Sequence, residues 1–164
     1  MASPDLKLDM RWQDQKVVKK DGAWTVDGRP GVGVELAFKH APANIPDHYY
    51  LGLKVTTPVN GATPPHTHGG GAIVATVTKG KVLNQMVCPE HDPESQGTGP
   101  KVYGVGESWY EPPGCHHVRA ENAGDEEAEF IAAFVIDKKK VDDEGLGALV
   151  VIDAEVEEAR RAKA

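Results

Sequence analysis

Apolar residues alternate with polar or small residues in several short segments of this chain. A period of two places every second side chain on one face of a β-strand. Residues 49–57, 72–78 and 129–137 show this pattern most clearly. Their same-face apolar sets are Leu51, Leu53 and Val55; Ile73, Ala75 and Val77; and Phe130, Ala132, Phe134 and Ile136. The pattern predicts a strand in each segment.

Three further segments are rich in strand-forming residues: 34–38, 80–87 and 148–153. Glycine and proline, at 18 and 12 residues, are spread through the chain and separate these short segments. Residues 154–163, AEVEEARRAK, form the only stretch that predicts a helix, because they combine strong helix formers with no breaker. Many short strands with one terminal helix predict an all-β sandwich or barrel, and the pattern alone does not separate the two.

The chain divides into three predicted parts. Its 164 residues fit one domain with one core. We expect a loosely ordered N-terminal arm over residues 1–30, anchored by its two tryptophans. A barrel domain is predicted over 31–153, interrupted by a polar loop at 89–100, and a helical tail over 154–164.

Charge and cysteine content restrict the function further. The formal net charge of −7 disfavours a nucleic-acid partner, since phosphate binding needs a basic surface, and the only lysine run, Lys138–Lys140, predicts a solvated turn. No stretch has the roughly 20 apolar residues of a membrane span. The first residues lack the apolar centre of a signal peptide, so we expect a cytoplasmic protein without membrane contact. In that setting Cys88 and Cys115 are expected to be reduced.

Histidine pairs carry the candidate chemistry. In PPHTHGGGAIV, residues 64–74, His66 and His68 lie one residue apart, and on a strand such residues face the same side. Their imidazoles would then converge on one point, as a metal ion requires. Exposed histidines on a surface loop are the alternative. In a second cluster His116 and His117 are adjacent, so only one of them can face inward and supply a third imidazole to the site.

Together these two segments resemble the cupin superfamily. The first motif of that family reads G-x5-H-x-H-x3,4-E-x6-G, and here it aligns on His66 and His68 with Gly80 as its last residue. The second motif, G-x5-P-x-G-x2-H-x3-N, aligns from Gly106 through Pro112 and Gly114 to His117. The resemblance is closest to small single-domain cupins, many of which occur near natural-product pathways. It implies a double-stranded β-helix, or jelly-roll, barrel, a metal held by His66, His68 and His117, and a homodimer.

The chain departs from the family pattern at the acid of the first motif. The glutamate position falls on Ala72 or Ile73, neither of which binds metal, and the asparagine of the second motif is Glu121. The resemblance therefore implies three histidine ligands without the usual acid. Candidates for a replacement ligand or catalytic base are Gln85, Glu111 and His48. Whether His116 or Cys115 also contacts the metal is left open.

Three neutral ligands would leave a divalent ion strongly Lewis acidic and open to an anionic substrate. The resemblance implies two precedents for such a centre. One is O2-dependent, dioxygenase-like oxidation of a small organic molecule at Fe(II). The other is redox-neutral decarboxylation, isomerisation or cyclisation of a polyketide-like substrate, for which Zn, Ni or Mn would also serve. A non-catalytic ligand-binding cupin is the third interpretation. We favour oxidation with iron.

Overall fold

A computed structural model of the chain describes residues 10–88 and 99–164. Most of the predicted polar loop at 89–100 and the first nine residues of the predicted arm lie outside the described residues. The strands are β1 Val17–Lys20, β2 Ala23–Val26, β3 Gly33–His40, β4 His48–Thr57, β5 Ala62–Thr63, β6 His66–Thr67, β7 Ala72–Lys79, β8 Lys81–Val87, β9 Lys101–Gly104, β10 Ser108–Glu111, β11 His116–Asn122, β12 Ala128–Asp137 and β13 Val151–Ile152. The helices are α1 Lys138–Glu144 and α2 Asp153–Ala162.

Two antiparallel sheets form the barrel. The first has the strand order β10-β7-β12-β4-β3. The second has the order β13-β6-β11-β8-β9, with β5 pairing beside β6 on β11. Neighbours that are distant in sequence, such as β4 and β12, pair along their whole length. This is the jelly-roll barrel that the sequence predicts, and the predicted all-β class is confirmed.

The alternating residues of the sequence fill the space between the sheets. Leu51, Leu53 and Val55 of β4 are buried beside Phe130 and Phe134 of β12, on the inner face of the first sheet. Burying each such side chain contributes about 1.5–3 kcal/mol, so this shared inner face dominates the stability of the barrel. Further members of the core are Ile73, Ala75, Val77, Val82, Tyr103, Trp109, Ala128, Ala132, Ile136, Val141 and Leu149.

A bulge in β11 changes which side chains of this strand face the barrel interior and which face outward. Its register against β8 shifts between His117 and Arg119. As a result His117 and Ala120 both face the barrel interior, while Arg119 lies on the outer face. There Arg119 donates two hydrogen bonds to the Glu121 carboxylate, at 2.8 and 3.1 Å. Arg29 completes this buried ion cluster, with its Nη1 3.0 Å from Glu121 Oε2.

The described part of the predicted arm, residues 10–30, contains regular structure. Residues 12–14 form a 3₁₀ turn, and β1 and β2 form a hairpin joined at the positive-φ residues Asp21 and Gly22. Two contacts tie the start of the arm to the outside of β11: Arg119 donates to the carbonyl of Met10, and Gln15 to that of Val118.

The lysine run begins a helix, so its prediction as a solvated turn is wrong. Asp137 caps α1 by accepting a hydrogen bond from the backbone N–H of Lys140. An ion pair between Lys140 and Glu144, four residues apart, adds to the helix on its exposed side. The predicted C-terminal helix is confirmed as α2. No helix among the described residues is long and apolar enough to cross a membrane.

Cys88 and Cys115 form a disulfide, which corrects the expectation that both are reduced. The register of β8 against β11 pairs Val87 with His116. The residues just beyond that pair are the two cysteines, whose Cα atoms lie 4.2 Å apart, so antiparallel pairing brings their sulfurs together. Sequence spacing gives no sign of this contact, because 27 positions separate the two residues.

Candidate metal centre

Three histidines, two of them buried and one half-buried, meet inside the barrel. His66 on β6 is paired directly with His117 on β11, and His68 follows β6 by one residue. One ring nitrogen from each of the three lies within 4.8 Å of the others. His66 and His117 are 4% and 2% exposed, so the point on which they converge is shielded from bulk water. The structure thus brings together the three histidines that the sequence predicts.

Backbone carbonyls orient two of these rings. His66 Nδ1–H donates to the carbonyl of Pro64 at 2.7 Å, and His68 Nδ1–H donates to that of Leu149 at 2.6 Å. Since a carbonyl can only accept, each Nδ1 must carry the proton, which leaves the Nε2 lone pair free for a ligand. Metal-binding histidines are commonly held in this way. The Nε2 atom of His117 is buried without a hydrogen-bond partner among the described residues.

Glu111, one of the three candidates for a replacement acid, lies beside the histidines. Its Oε1 is 3.1 Å from His68 Nε2 and 3.3 Å from His117 Nδ1, while its Oε2 accepts a hydrogen bond from the Trp109 indole at 3.1 Å. Glu111 is the direct cross-strand partner of Ile73 in the pairing of β10 with β7. The carboxylate therefore stands one strand away from a position where the family motif has its glutamate.

The cluster is strongly coupled electrostatically. Burial lowers the pKa of His66 well below its usual value, and repulsion from the other two histidines adds to this effect. Burial also lowers the pKa of His117, and it outweighs the attraction of Glu111. At His68 burial is outweighed by the nearby Glu111 carboxylate, which raises the pKa. Burial would raise the pKa of Glu111, but the charges of His117 and His68 outweigh it and hold that pKa far below the usual carboxyl range.

A small apolar cavity adjoins the cluster. Its volume is about 50 Å³, which is room for a few water-sized groups. Val34 is 49% exposed and marks where the cavity reaches the surface. Apart from the three histidines and Glu111, the lining residues carry no charge within the described part of the chain. They are Val32, Val34, Leu53, Val55, Thr63, Ala120, Phe130, Ala132, Phe134 and Val150.

The other sequence candidates lie elsewhere. Gln85 is paired with Arg119 on the outer face of β8, and His48 is paired with Asp137 at the far end of β4. Cys115 is committed to the disulfide. His116 points away from the cluster and its Nδ1 lies 2.7 Å from Asp153 Oδ2 at the start of α2.

Sequence reasoning missed one part of the site and left another open. The part that it missed is Leu149, whose carbonyl orients His68. The part that it left open is the glycine triplet at residues 69–71, which indicates either backbone room beside the metal or a flexible turn. Gly69 has a φ of +62°, and a Cβ there would lie 2.3 Å from the carbonyl oxygen of Ala148. Gly69 thus gives the backbone room for Ala148 to pack against the histidine loop. A glycine after an H-x-H pair is the only sequence signal for this contact.

Comparison with known proteins agrees with this architecture. The family model described as cupin matches residues 50–160. This chain belongs to the cupin family. No curated protein matches it significantly.

Solved cupin structures share the fold at low sequence identity. A structure described as oxalate oxidase is 19% identical, with a TM-score of 0.50, covering 92% of this cupin and 68% of that chain. The Cnp3 cupin domain of Schizosaccharomyces pombe is 14% identical, with a TM-score of 0.50, covering 71% and 68%. A cupin domain from Bordetella pertussis is 20% identical, with a TM-score of 0.47, covering 66% and 96%. The two likenesses with a TM-score of 0.50 support the fold and do not assign a reaction.

Cupins bind metals, and the cluster in this cupin fits a divalent ion. His117 Nε2 is buried without a hydrogen-bond partner among the described residues, and Glu111 Oε1 and His68 Nε2 lie 3.1 Å apart beside it. Such groups are costly to bury unless a ligand satisfies them. Imidazole and carboxylate donors suit Fe, Zn, Ni and Mn alike, so the donor set does not select the metal.

Proposed function

We propose that this cupin is a mononuclear metal enzyme that oxidises a small, enolisable organic molecule with O2. The observation that carries the proposal is the convergence of three histidine rings, two of them held by backbone carbonyls, beside an apolar cavity. His66, His68 and His117 are the proposed metal ligands. A divalent ion held there would supply Lewis acidity toward an anionic substrate and, if it is iron, reactivity toward O2.

Glu111 is proposed to supply the acid that the first motif lacks. Its Oε1 lies 3.1 Å from His68 Nε2, which is close to the separation of about 3 Å between adjacent ligand atoms on bonds of about 2.1 Å at right angles. The indole of Trp109 holds the other carboxylate oxygen and so aims Oε1 at the cluster. Glu111 is thereby proposed as the fourth ligand.

The charge of the site favours a monoanionic substrate. Glu111 and a divalent ion together leave one net positive charge, and no lysine or arginine lines the cavity in the described part of the chain. A monoanion, such as an enolate, would make the site neutral. A dianion such as oxalate would leave one uncompensated negative charge in an apolar cavity, which is unfavourable. We therefore do not extend oxalate chemistry from the structural neighbour to this chain.

The cavity also favours oxidation over the redox-neutral alternatives. Decarboxylation and isomerisation need a side chain that delivers a proton to carbon. With Glu111 and the histidines as ligands, no other titratable residue lines the cavity among the described residues. An apolar wall admits O2 readily and excludes water, as an oxidative reaction requires.

Metal content and oxygen uptake test the proposal. The untagged protein, purified anaerobically, should hold about one metal per chain, and His66→Ala/His68→Ala should lose it while His48→Ala keeps it. The Fe(II)-loaded protein should consume O2 with 2,4-pentanedione or 4-hydroxybutan-2-one and not with oxalate, whereas the Zn-loaded protein should not. Loss of substrate without O2 uptake would favour the redox-neutral reaction. A native protein that takes up no metal would refute the enzyme mechanism and favour a binding module.

A rescue experiment tests Glu111 separately. Glu111→Gln should weaken metal binding by roughly 10- to 100-fold, in the range seen when residues that support a metal site are removed. Adding Ile73→Glu places a carboxylate on the cross-strand partner and should recover part of the affinity. If Glu111→Gln binds metal as tightly as the native protein does, Glu111 is not a ligand.

A further inference from the structure

The inner face of the first sheet is uncovered at its edge strand, β3. Leu53 and Ala132, on β4 and β12, are 4% and 5% exposed, whereas Leu36, in the same row on β3, is 44% exposed. Directly paired residues share a face, so Leu36 points to the same side of the sheet as Leu53. Among the described residues, the cover over the inner face therefore ends before β3.

The cavity beside the histidine cluster opens onto this uncovered edge. Val34, Val55 and Phe130 form the adjacent row across the same three strands, and all three line the cavity. Val55 and Phe130 are buried, while the Val34 side chain reaches the surface. The same cavity is lined by the histidine cluster and by Phe134, whose ring centre lies 5.4 Å from that of His68. One cavity thus connects the proposed metal ligands with the exposed side of Val34.

The surface that continues from the cavity mouth is apolar. Val34 and Leu36 are neighbours on this face of β3, and the half-buried Val32 precedes them in the cavity wall. Glu35 lies between them on the opposite face, where its carboxylate is 3.5 Å from Lys54 Nζ. We call Val32, Val34 and Leu36 the apolar rim. An apolar surface that adjoins a binding cavity favours a ligand with an apolar part that extends out of the cavity.

The size of the cavity makes such an extension necessary for all but the smallest substrates. Its volume of about 50 Å³ holds only a few water-sized groups. An enolate bound at the histidine cluster would fill this space. Any further carbon atoms would leave through the mouth and lie against the apolar rim.

We propose that the apolar rim binds a hydrocarbon tail of the substrate. The inference rests on the proposed function and narrows its substrate class to enolisable compounds that carry an aliphatic chain of several carbons. The enolate end meets the histidine cluster, and the chain covers Val34 and Leu36. This contact removes apolar surface of both molecules from water, which favours binding, whereas a charged tail would gain nothing from it.

Two diketones with the same reactive end test the proposal. 2,4-Pentanedione and 2,4-nonanedione form the same kind of enolate and differ only by four methylene groups. Their binding is measured by anaerobic calorimetry on the Zn-loaded and the metal-free protein. Full burial of a methylene group strengthens binding roughly fourfold and half-burial about twofold, so the longer diketone should bind about tenfold more tightly. The tail contact does not involve the metal, so the ratio should persist in the metal-free protein although both diketones bind more weakly.

Substitutions in the rim test whether this surface causes the difference. Val34→Ser/Leu36→Ser removes the exposed part of the rim and should lower the ratio of the two affinities to about two or less. Val74→Ser/Val135→Ser is the matched control, because these side chains are 48% and 37% exposed on the outer face of the same sheet. The control should keep the native ratio. Both variants lose apolar side chains from exposed strand positions, so their unfolding temperatures should be similar.

Three results would overturn the proposal. They are no binding of either diketone, equal affinities of the native protein for both, and the same ratio in the native protein and the rim variant. Sedimentation adds a fourth: a native dimer that only the rim variant converts to a monomer would show that the rim contacts a second copy of the chain. Failure of the proposed oxidation alone would show as an intact chain-length ratio, lost in the rim variant, without metal or O2 uptake.

Discussion

Reduction of the Cys88–Cys115 disulfide should remove a large part of the stability of this protein. The bond closes a loop of 27 positions. The chain-entropy relation for a loop of that length gives about 12 cal/mol/K, or about 3.5 kcal/mol at 25 °C. Natural domains of this kind are stable by only about 5–15 kcal/mol, so the reduced protein should be markedly easier to unfold.

The position of the bond adds a second expected effect. Cys115 lies in the turn between Glu111 and His117. The disulfide therefore ties the segment that carries both of these residues to Cys88, just after the end of β8. Reduction should release this turn and weaken metal binding as well as the fold. His66 is carried by a different segment and should keep its contact with the Pro64 carbonyl.

Urea unfolding of the metal-free protein, with and without a phosphine reductant, measures the first effect. With a slope of about 2–3 kcal/mol/M, the midpoint should fall by more than about 1 M. Cys88→Ala/Cys115→Ala serves as the control and should not respond to reductant. The reasoning is refuted if the native midpoint moves by less than about 0.3 M, or if both thiols react with iodoacetamide in the folded protein before any reduction.

Two further predictions concern stability. Gly70→Ala should lower the free energy of unfolding by about 1–2 kcal/mol, from its φ of +80° alone. Gly69→Ala should lower it by about 1–3 kcal/mol more, because the added Cβ would lie 2.3 Å from the Ala148 carbonyl oxygen. Equal melting temperatures for the two variants would contradict this. Glu121→Gln should lower the free energy of unfolding at pH 7 by roughly 3 kcal/mol, since it removes the buried carboxylate that Arg119 contacts. Burial would raise the pKa of Glu121, but hydrogen bonds from two arginines outweigh it and lower the pKa below 4.5. The stabilisation that the Glu121 carboxylate contributes is therefore present above pH 4.5 and is lost as the pH falls through the lowered pKa. Urea titrations should therefore show that the free energies of unfolding of the native protein and Glu121→Gln differ less at pH 3 than at pH 7. The same difference at both pH values would contradict this prediction.

Local spacing was enough to predict the strands and the convergence of His66 and His68, while the barrel itself followed from the family resemblance. A period of two marks the inner face of β4, and the H-x-H spacing places His66 and His68 on one side of the chain. These features depend on neighbours within a few residues, which a sequence displays directly. The family motifs then supplied His117, which no local pattern separates from His116.

The remainder of the site depends on long-range pairing. Both faces of β8 are largely apolar, so its pattern does not show which side chains face inward, and the candidate Gln85 pairs with Arg119 on the outer face. Glu111 could only be listed as a candidate, because its nearness to Ile73 arises from the register of β10 against β7. The disulfide and the Leu149 carbonyl likewise join residues far apart in the chain.

The contribution of residues 145–152 to the centre has a consequence for metal exchange. Leu149 orients His68, and Ile152 of β13 pairs with His66, although more than 80 positions separate each histidine from its partner. Strand β13 has only two residues, so this segment should open locally while the two sheets stay paired. Metal should therefore enter and leave when this segment opens, without unfolding of the barrel.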